Sequence, residues 1–235
     1  MSNLIFINEI ASTHDGSKKE LNKLIKNIKI QPKDYIKFQI FNNNDLCHES
    51  SKLFNGLKKI ELPFNFWASV IKKFKTKNQV ILEPFDEKSY VFAKKFKKKV
   101  LLKISSSEHD NIPMISDAIK NFKKVFINIS GYELREITKI LKNIKNSKKK
   151  VVLMYGFQSF PSKPENLRLS VIKKIVKAGY KAGYADHSDT IDPIGTYFST
   201  ARAIDYGASY IEKHVTLDRL KKKPDYITSF NPDAA

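Results

Sequence analysis

Short runs of β-branched and aromatic residues alternate with amphipathic stretches along nearly the whole chain. The first run, LIFINEIA at Leu4–Ala11, reads as a strand carrying Glu9 near its end. The turn-like STHDG follows, and then a helix over about Ser17–Ile30 with Leu21, Leu24, Ile25 and Ile28 at helical spacing. The alternation then repeats. Strands are predicted over Tyr35–Phe41, Gln79–Phe85, Val100–Ser106, Lys124–Ser130 and Lys150–Gly156, then one running to His187, and last Tyr210–Leu217. Helices are predicted near Pro63–Lys75, Glu87–Phe96, Ile112–Asn121, Tyr132–Ile144, Leu167–Ala178 and Ile194–Ile204, with a long loop over residues 42–62. Eight strands alternating with seven helices over short connections predict a (β/α)8 TIM barrel as a single domain over residues 1–235. An eighth helix is lacking: the sequence stops at SFNPDAA, where that helix would begin, and the chain reads as a fragment. No Gly-rich phosphate fingerprint follows the first strand, which disfavours a nucleotide fold.

Composition narrows the function classes. At 235 residues and 41% hydrophobic content the chain can bury one large core. A lone cysteine, Cys47, excludes an internal disulfide framework. Neither a signal-peptide pattern nor an apolar run of membrane-spanning length is present, so a cytoplasmic protein without a membrane partner is expected. The formal charge of +19 invites a nucleic-acid reading. Lysine is spread over nearly every predicted helix, however, and arginine, the main source of bidentate base and phosphate contacts, is limited to Arg135, Arg168, Arg202 and Arg219. A solvated lysine surface and no specific nucleic-acid partner is the reading that follows.

The informative residues are polar ones at the carboxyl ends of strands, where barrel enzymes assemble their sites. They are Glu9, Lys37 and Gln39, Glu83 and Asp86, Lys103 with Ser106 and Glu108, Ser130, Gln158, Asp186 with His187, and Glu212 with His214. Two strands that each end in a histidine suggest a two-His metal centre at His187 and His214; a hydrogen-bonded strand-end histidine is the plainer alternative for either alone. Lys37 and Lys103 pointing inward are costly to bury without anions. Either Glu9, Glu83 or Glu108 pairs with them, or a substrate carrying phosphate and carboxylate does. With a divalent metal polarising a carbonyl and Glu9 or Glu108 moving a proton through water, the sum is metal-assisted carbon–carbon bond chemistry on an anionic substrate.

Several segments, in order, carry a family resemblance: NEIASTHDG at Asn8–Gly16, KFQIF at Lys37–Phe41 with Asn44-Asp45-Leu46 after it, LEPFDEKS at Leu82–Ser89, LKISSSE at Leu102–Glu108, ADHSDT at Ala185–Thr190, EKHVTLD at Glu212–Asp218, then KPD and SFNPD. Across essentially its whole length the chain resembles the barrel of the N-acetylneuraminate (sialic acid) synthase family, which includes the legionaminate and pseudaminate synthases. The resemblance implies a transferase that condenses phosphoenolpyruvate with the open aldehyde of an N-acetylated hexosamine. It implies a divalent ion, Mn2+ or Mg2+, on His187 and His214, with Glu9 near its bound water. Lys37 and Lys103 would surround phosphoenolpyruvate, with Ser106 hydrogen-bonding it and Ser130 and Gln158 at neighbouring substrate positions. Gln39 and Glu108 would face the reacting centre or the sugar, with Asp225 on the sugar side. It further implies a homodimer if an antifreeze-like domain, absent from this sequence, follows the barrel. The departures from the pattern are specific. Leu82-Glu83-Pro84-Phe85 stands for Ser-Thr-Pro-Phe, Ala185-Asp186-His187 for Ser-Asp-His, Ile129-Ser130-Gly131 for Ser-Thr-Gly, and Gly156-Phe157-Gln158 for Cys-Thr-Asn or Cys-Thr-Ser. Hydroxyls that hold donor oxygens are lost, and Glu83 brings an anion to an anion's place. A barrel enzyme with a different acceptor or reaction, or a non-catalytic sugar- or anion-binding relative, is the alternative.

Overall fold

The computed structural model describes residues 4–232. Eight parallel strands close into a barrel: β1 (Ile5–Glu9), β2 (Tyr35–Ile40), β3 (Val80–Pro84), β4 (Val100–Ile104), β5 (Val125–Asn128), β6 (Val151–Tyr155), β7 (Lys181–Asp186) and β8 (Ala208–Val215). Each pairs with the next, and β8 pairs back to β1 with Tyr210 opposite Ile5 and His214 opposite Glu9. A two-residue strand, β9 (Ser229–Phe230), adds beside the carboxyl end of β8. The helices are α1 (Lys18–Asn27), α2 (Asn43–Leu46), α3 (Phe54–Ile60), α4 (Phe64–Lys73), α5 (Glu87–Lys95), α6 (Ile112–Asn121), α7 (Leu134–Lys142), α8 (Ser147–Lys150), α9 (Ser170–Lys177) and α10 (Pro193–Asp205). This is the (β/α)8 barrel that the spacing predicts. The expected loop over residues 42–62 instead contains α2 and α3, both too short for a periodic apolar face to stand out. Among the described residues no helix follows β8. The chain runs through single 3-10 turns at Arg219–Lys221 and Tyr226–Thr228 into β9, and Asp233, the last residue of SFNPD, lies outside the described residues.

Helix starts are set locally. Ser17 accepts from the Glu20 amide at the head of α1, Asp86 and Ser89 form a reciprocal capping box on α5, and Asn111 and Asp192 cap α6 and α10. The outer faces of the strands, including Ile36, Phe38, Leu82, Leu102, Ile127 and Leu153, pack against buried helix residues such as Leu21, Trp67, Val70, Ile115 and Ile172. A second, smaller cluster fills the barrel: Ile7, Ile81, Leu101, Phe126, Val152, Met154, Ala185 and Tyr210. At its base Tyr35 and Tyr210 stack at 6.5 Å, and Lys124 donates to both hydroxyls, at 3.2 and 2.7 Å. Gly183 is required inside this packing, since a Cβ there would lie 2.3 Å from the Met154 sulfur.

Side chains alternate along a strand, so the next inward residue lies two positions on. Ile7 is followed by Glu9, Tyr35 by Lys37, Ile81 by Glu83, Leu101 by Lys103, Phe126 by Asn128, Ala185 by His187 and Tyr210 by Glu212. One layer of the barrel is apolar, and the layer above it at the carboxyl ends is almost wholly polar.

Candidate active site

In this polar layer five charged side chains meet, each almost completely buried: Glu9, Lys37, Glu83, Lys103 and Glu212. The Lys37 ammonium touches Glu9, lies 2.6 Å from Glu83 Oε2 and 2.8 Å from Glu212 Oε1. Lys103 lies 2.6 Å from the same Glu212 oxygen and 3.6 Å from Glu83 Oε1. Glu9 also accepts the Ala11 amide at 2.6 Å, turning the chain as it leaves β1. Burial acts against these charges; mutual attraction wins for Glu83, Glu212 and Lys103, whereas at Lys37 burial outweighs Glu212 and Glu83 and holds its pKa below the usual lysine value. Although burial raises the Glu83 and Glu212 pKa values, Lys103 and Lys37 bring both below the usual glutamate value. Burial likewise lowers Lys103, and Glu212 and Glu83 more than reverse it, so it ends above the usual lysine value. With all five ionised, three carboxylates against two ammonium groups carry one net negative charge. The pairing expected with Glu9 and Glu83 is present; Glu212 takes the place expected of Glu108.

Beside the cluster opens a cavity of about 290 Å³. Lys37, Gln39, Glu83, Lys103, Ser105, Ser106, Asn128, Gln158, His187, Glu212, His214 and Asp225 all line it, with Ala11, Ser12, Phe85 and Phe160. The two histidine rings lie 5.5 Å apart, nearly perpendicular. His187 Nδ1–H donates to the Phe157 carbonyl at 3.0 Å, which leaves the Nε2 lone pair free. His214 Nδ1 lies 3.4 Å from the Thr228 hydroxyl. Burial lowers the His187 pKa to about 4, and burial with His187 and Lys37 nearby puts His214 well below the usual histidine value. Both rings are therefore neutral at pH 7. The Phe160 ring, although 54% exposed, covers them, with its centroid 4.3 Å from His187 and 6.0 Å from His214. Glu212 Oε2, on a residue that lines this cavity, is buried without a hydrogen-bond donor. Among the described residues no three His, Cys, Asp or Glu side chains converge as a metal-binding group.

The mouth of the cavity is tied together by side-chain-to-backbone hydrogen bonds. Asp225, held at φ +61°, accepts the Ser12 amide at 3.0 Å, and Thr13 donates to the Val215 carbonyl at 2.9 Å. Burial raises the Asp225 pKa, partly offset by the Ser12 amide. Gly16 closes the turn at φ +74°, where a Cβ would lie 2.0 Å from the Lys59 carbonyl oxygen.

Several sequence-predicted residues lie elsewhere. Glu108 is outside the cavity and accepts from Asn111 at 2.9 Å, because the chain leaves the extended conformation after β4 and Ser106–Glu108 forms a 3-10 turn. Ser130 is buried against Asn128 and the backbone of Gly156, where it joins the ends of β5 and β6. Asp186 is directed to the outer side of β7, bonded to Ser188 and Lys213. His14 is buried against Trp67 and accepts the Gly16 amide. Asn128, Ser105 and Phe160 are lining residues that sequence reasoning missed. The period-two step from Phe126 and from Lys103 marks the first two; nothing in the sequence marks Phe160.

Residues 24–235 match the model of the NeuB family. This chain belongs to the NeuB family. Its relatives include the N,N'-diacetyllegionaminic acid synthase of Campylobacter jejuni, 28% identical over 252 aligned positions that cover 99% of this chain and 73% of that protein. The spore coat polysaccharide biosynthesis protein SpsE of Bacillus subtilis is 22% identical over 244 positions; the NeuB-family chain spans 64% of its length. Among solved structures, the N-acetylneuraminic acid (sialic acid) synthetase from Leptospira borgpetersenii, in complex with citrate, superposes with a TM-score of 0.82 at 25% identity, over 98% of this chain and 79% of that one.

Proposed function

We propose that the chain is a nonulosonate synthase barrel, which joins phosphoenolpyruvate to the open aldehyde of an N-acetylated hexosamine. The observation that carries this reading is one cavity lined by two buried lysines and two neutral histidines, with the Nε2 lone pair of His187 free. Kinship with legionaminic and sialic acid synthases supports it. In the reaction C3 of phosphoenolpyruvate bonds to the aldehyde carbon, water adds at C2, and phosphate leaves as its C–O bond breaks.

His187 and His214 would hold a divalent ion, Mn2+ or Mg2+; two neutral imidazoles lining one cavity fit such an ion with solvent or substrate oxygens completing its shell. The ion would supply Lewis-acid polarisation of the acceptor carbonyl. Lys37 and Lys103 attract the donor's anionic groups, while Gln39, Ser105, Ser106 and Asn128 offer hydrogen bonds to its oxygens. Asp225 and Gln158, which also line the cavity, would face the sugar. Phe160 excludes water from the histidine pair. Glu9 does not line the cavity; it acts by holding Lys37.

The test is incubation of the chain with phosphoenolpyruvate, Mn2+ and a panel of N-acetylated hexosamines, read as phosphate release together with a nonulosonate mass. Release that requires both donor and sugar supports the reading. No acceptor-dependent release across the panel refutes it.

A further inference from the structure

The lysine pair has one more carboxylate than it needs. Glu212 Oε1 already bridges both ammonium groups, at 2.8 Å from Lys37 and 2.6 Å from Lys103, and Glu9 contacts Lys37 from the other side. Those two carboxylates balance the two cations. Glu83 is the surplus, and its position is telling. Its Oε2 lies 2.6 Å from Lys37 and accepts weakly from Gln39 Nε2 at 3.5 Å, while its Oε1 lies 3.6 Å from Lys103. One side chain thus occupies three of the donors that this wall offers to an incoming anion, while itself facing the cavity. Around it stand Lys37 and Gln39 on β2, Lys103 on β4, Glu9 on β1 and Glu212 on β8, with the neutral His187 and His214 and the more distant Asp225 completing the lining.

We propose that Glu83 is a resident anion in the subsite for the donor's phosphate or carboxylate, so that any anionic donor binds only by displacing it, and that Glu83 thereby lowers the site's affinity for anions. This deepens the synthase reading and rests on it for the identity of the donor, but not for the anion subsite itself. Displacement separates Glu83 from its lysines without removing its charge, and the bound anion then sits beside a carboxylate in a poorly hydrated wall. A like charge about 5 Å away at an effective dielectric near 20 weakens binding by a factor of roughly two to three hundred.

The test is calorimetric titration of inorganic phosphate, and separately of phosphoenolpyruvate with Mn2+, into the wild-type chain, Glu83→Gln, Glu83→Thr and Glu83→Asp at constant ionic strength. Phosphate is expected to bind the neutral variants more tightly by about thirtyfold or more, and Glu83→Asp much as wild type. Two neutral variants of different size guard against a folding failure in one, with melting curves identifying it. Equal phosphate affinity in wild type and a folded neutral variant overturns the proposal, whatever phosphoenolpyruvate does. A phosphate gain without phosphoenolpyruvate binding in any variant upholds the resident anion and removes the donor assignment. Tight phosphoenolpyruvate binding that is equal in wild type and variants does the reverse.

Discussion

Replacing Lys37 by methionine is the sharpest perturbation of the charged layer. The substitution keeps most of the volume and removes the cation that touches Glu9, Glu83 and Glu212. The cluster passes from one net negative charge to two, and three buried carboxylates are left with Lys103 alone. Breaking a buried pair by removing one partner costs about 3–5 kcal/mol, because the remaining charge stays in the low-dielectric interior. In a domain of this size each kcal/mol moves the melting temperature by about 2–4 °C, so a fall of roughly 6–20 °C is expected. Glu83→Gln acts in the opposite sense on charge. It brings the cluster to neutrality, leaves Glu212 on both lysines, and is expected to cost less than about 2 kcal/mol. Combining the two restores the original net charge, so the double variant should recover about 1–3 kcal/mol relative to the sum of the singles. Trp67, the single tryptophan, is buried in the main core and reports unfolding by fluorescence in urea near pH 7. A loss below about 1 kcal/mol for Lys37→Met, or strict additivity in the double variant, refutes the charge accounting.

Acid should weaken the metal-free protein through its buried histidines. His14 and His187 fall from the ordinary 6.5 to about 4, mainly by burial, so between these values the unfolded chain binds more protons. Their contribution is complete above pH 6.5 and is lost as pH falls towards 4, about 3 kcal/mol for each, and a flat urea midpoint across that window would contradict it. His187→Ala and His214→Ala should each reduce Mn2+ affinity more than about tenfold by electron paramagnetic resonance titration, whereas Glu108→Ala should leave it unchanged. An equal loss in the Glu108 variant would return that residue to the site. Asp225→Ala should raise the KM of the sugar about tenfold and leave donor affinity within about twofold; a matching loss of both places Asp225 on the donor side.

The barrel was legible because strand and helix periods differ and recur with short connections, and period two alone put Lys37, Gln39, Glu212 and His214 on inward faces. Glu108 has the opposite parity to Lys103 and was marked only by its place after β4 and by the family resemblance; the 3-10 turn after Ile104 carries it out of the cavity. Ser130 lies just past the end of β5 at Asn128, so its side chain turns into the joint with β6 while Asn128 takes the inward place. Pairing across the barrel was less legible still. Glu212 meets Lys37 and Lys103 because closure brings β8 opposite β2 and β4, a relation that no local pattern encodes. Phe160 depends on the course of an irregular loop, whose backbone is fixed by contacts such as the Ser162 amide donating to the His187 carbonyl at 2.7 Å.

The order in which the cluster's members leave the ribosome has a consequence for folding. Glu9, Lys37, Glu83 and Lys103 all emerge within the first half of the chain, and together they are electrically balanced. Glu212 follows 109 residues after Lys103 and 175 after Lys37, and it supplies the closest carboxylate contact that Lys103 makes. A nascent half-barrel can therefore neutralise its charges but cannot bind Lys103 tightly. Contacts separated by so much sequence form late, after the loop-closure entropy has been met. Docking of β8 both closes the sheet and fastens this lysine, so the two events should register as one cooperative step once β8 has emerged.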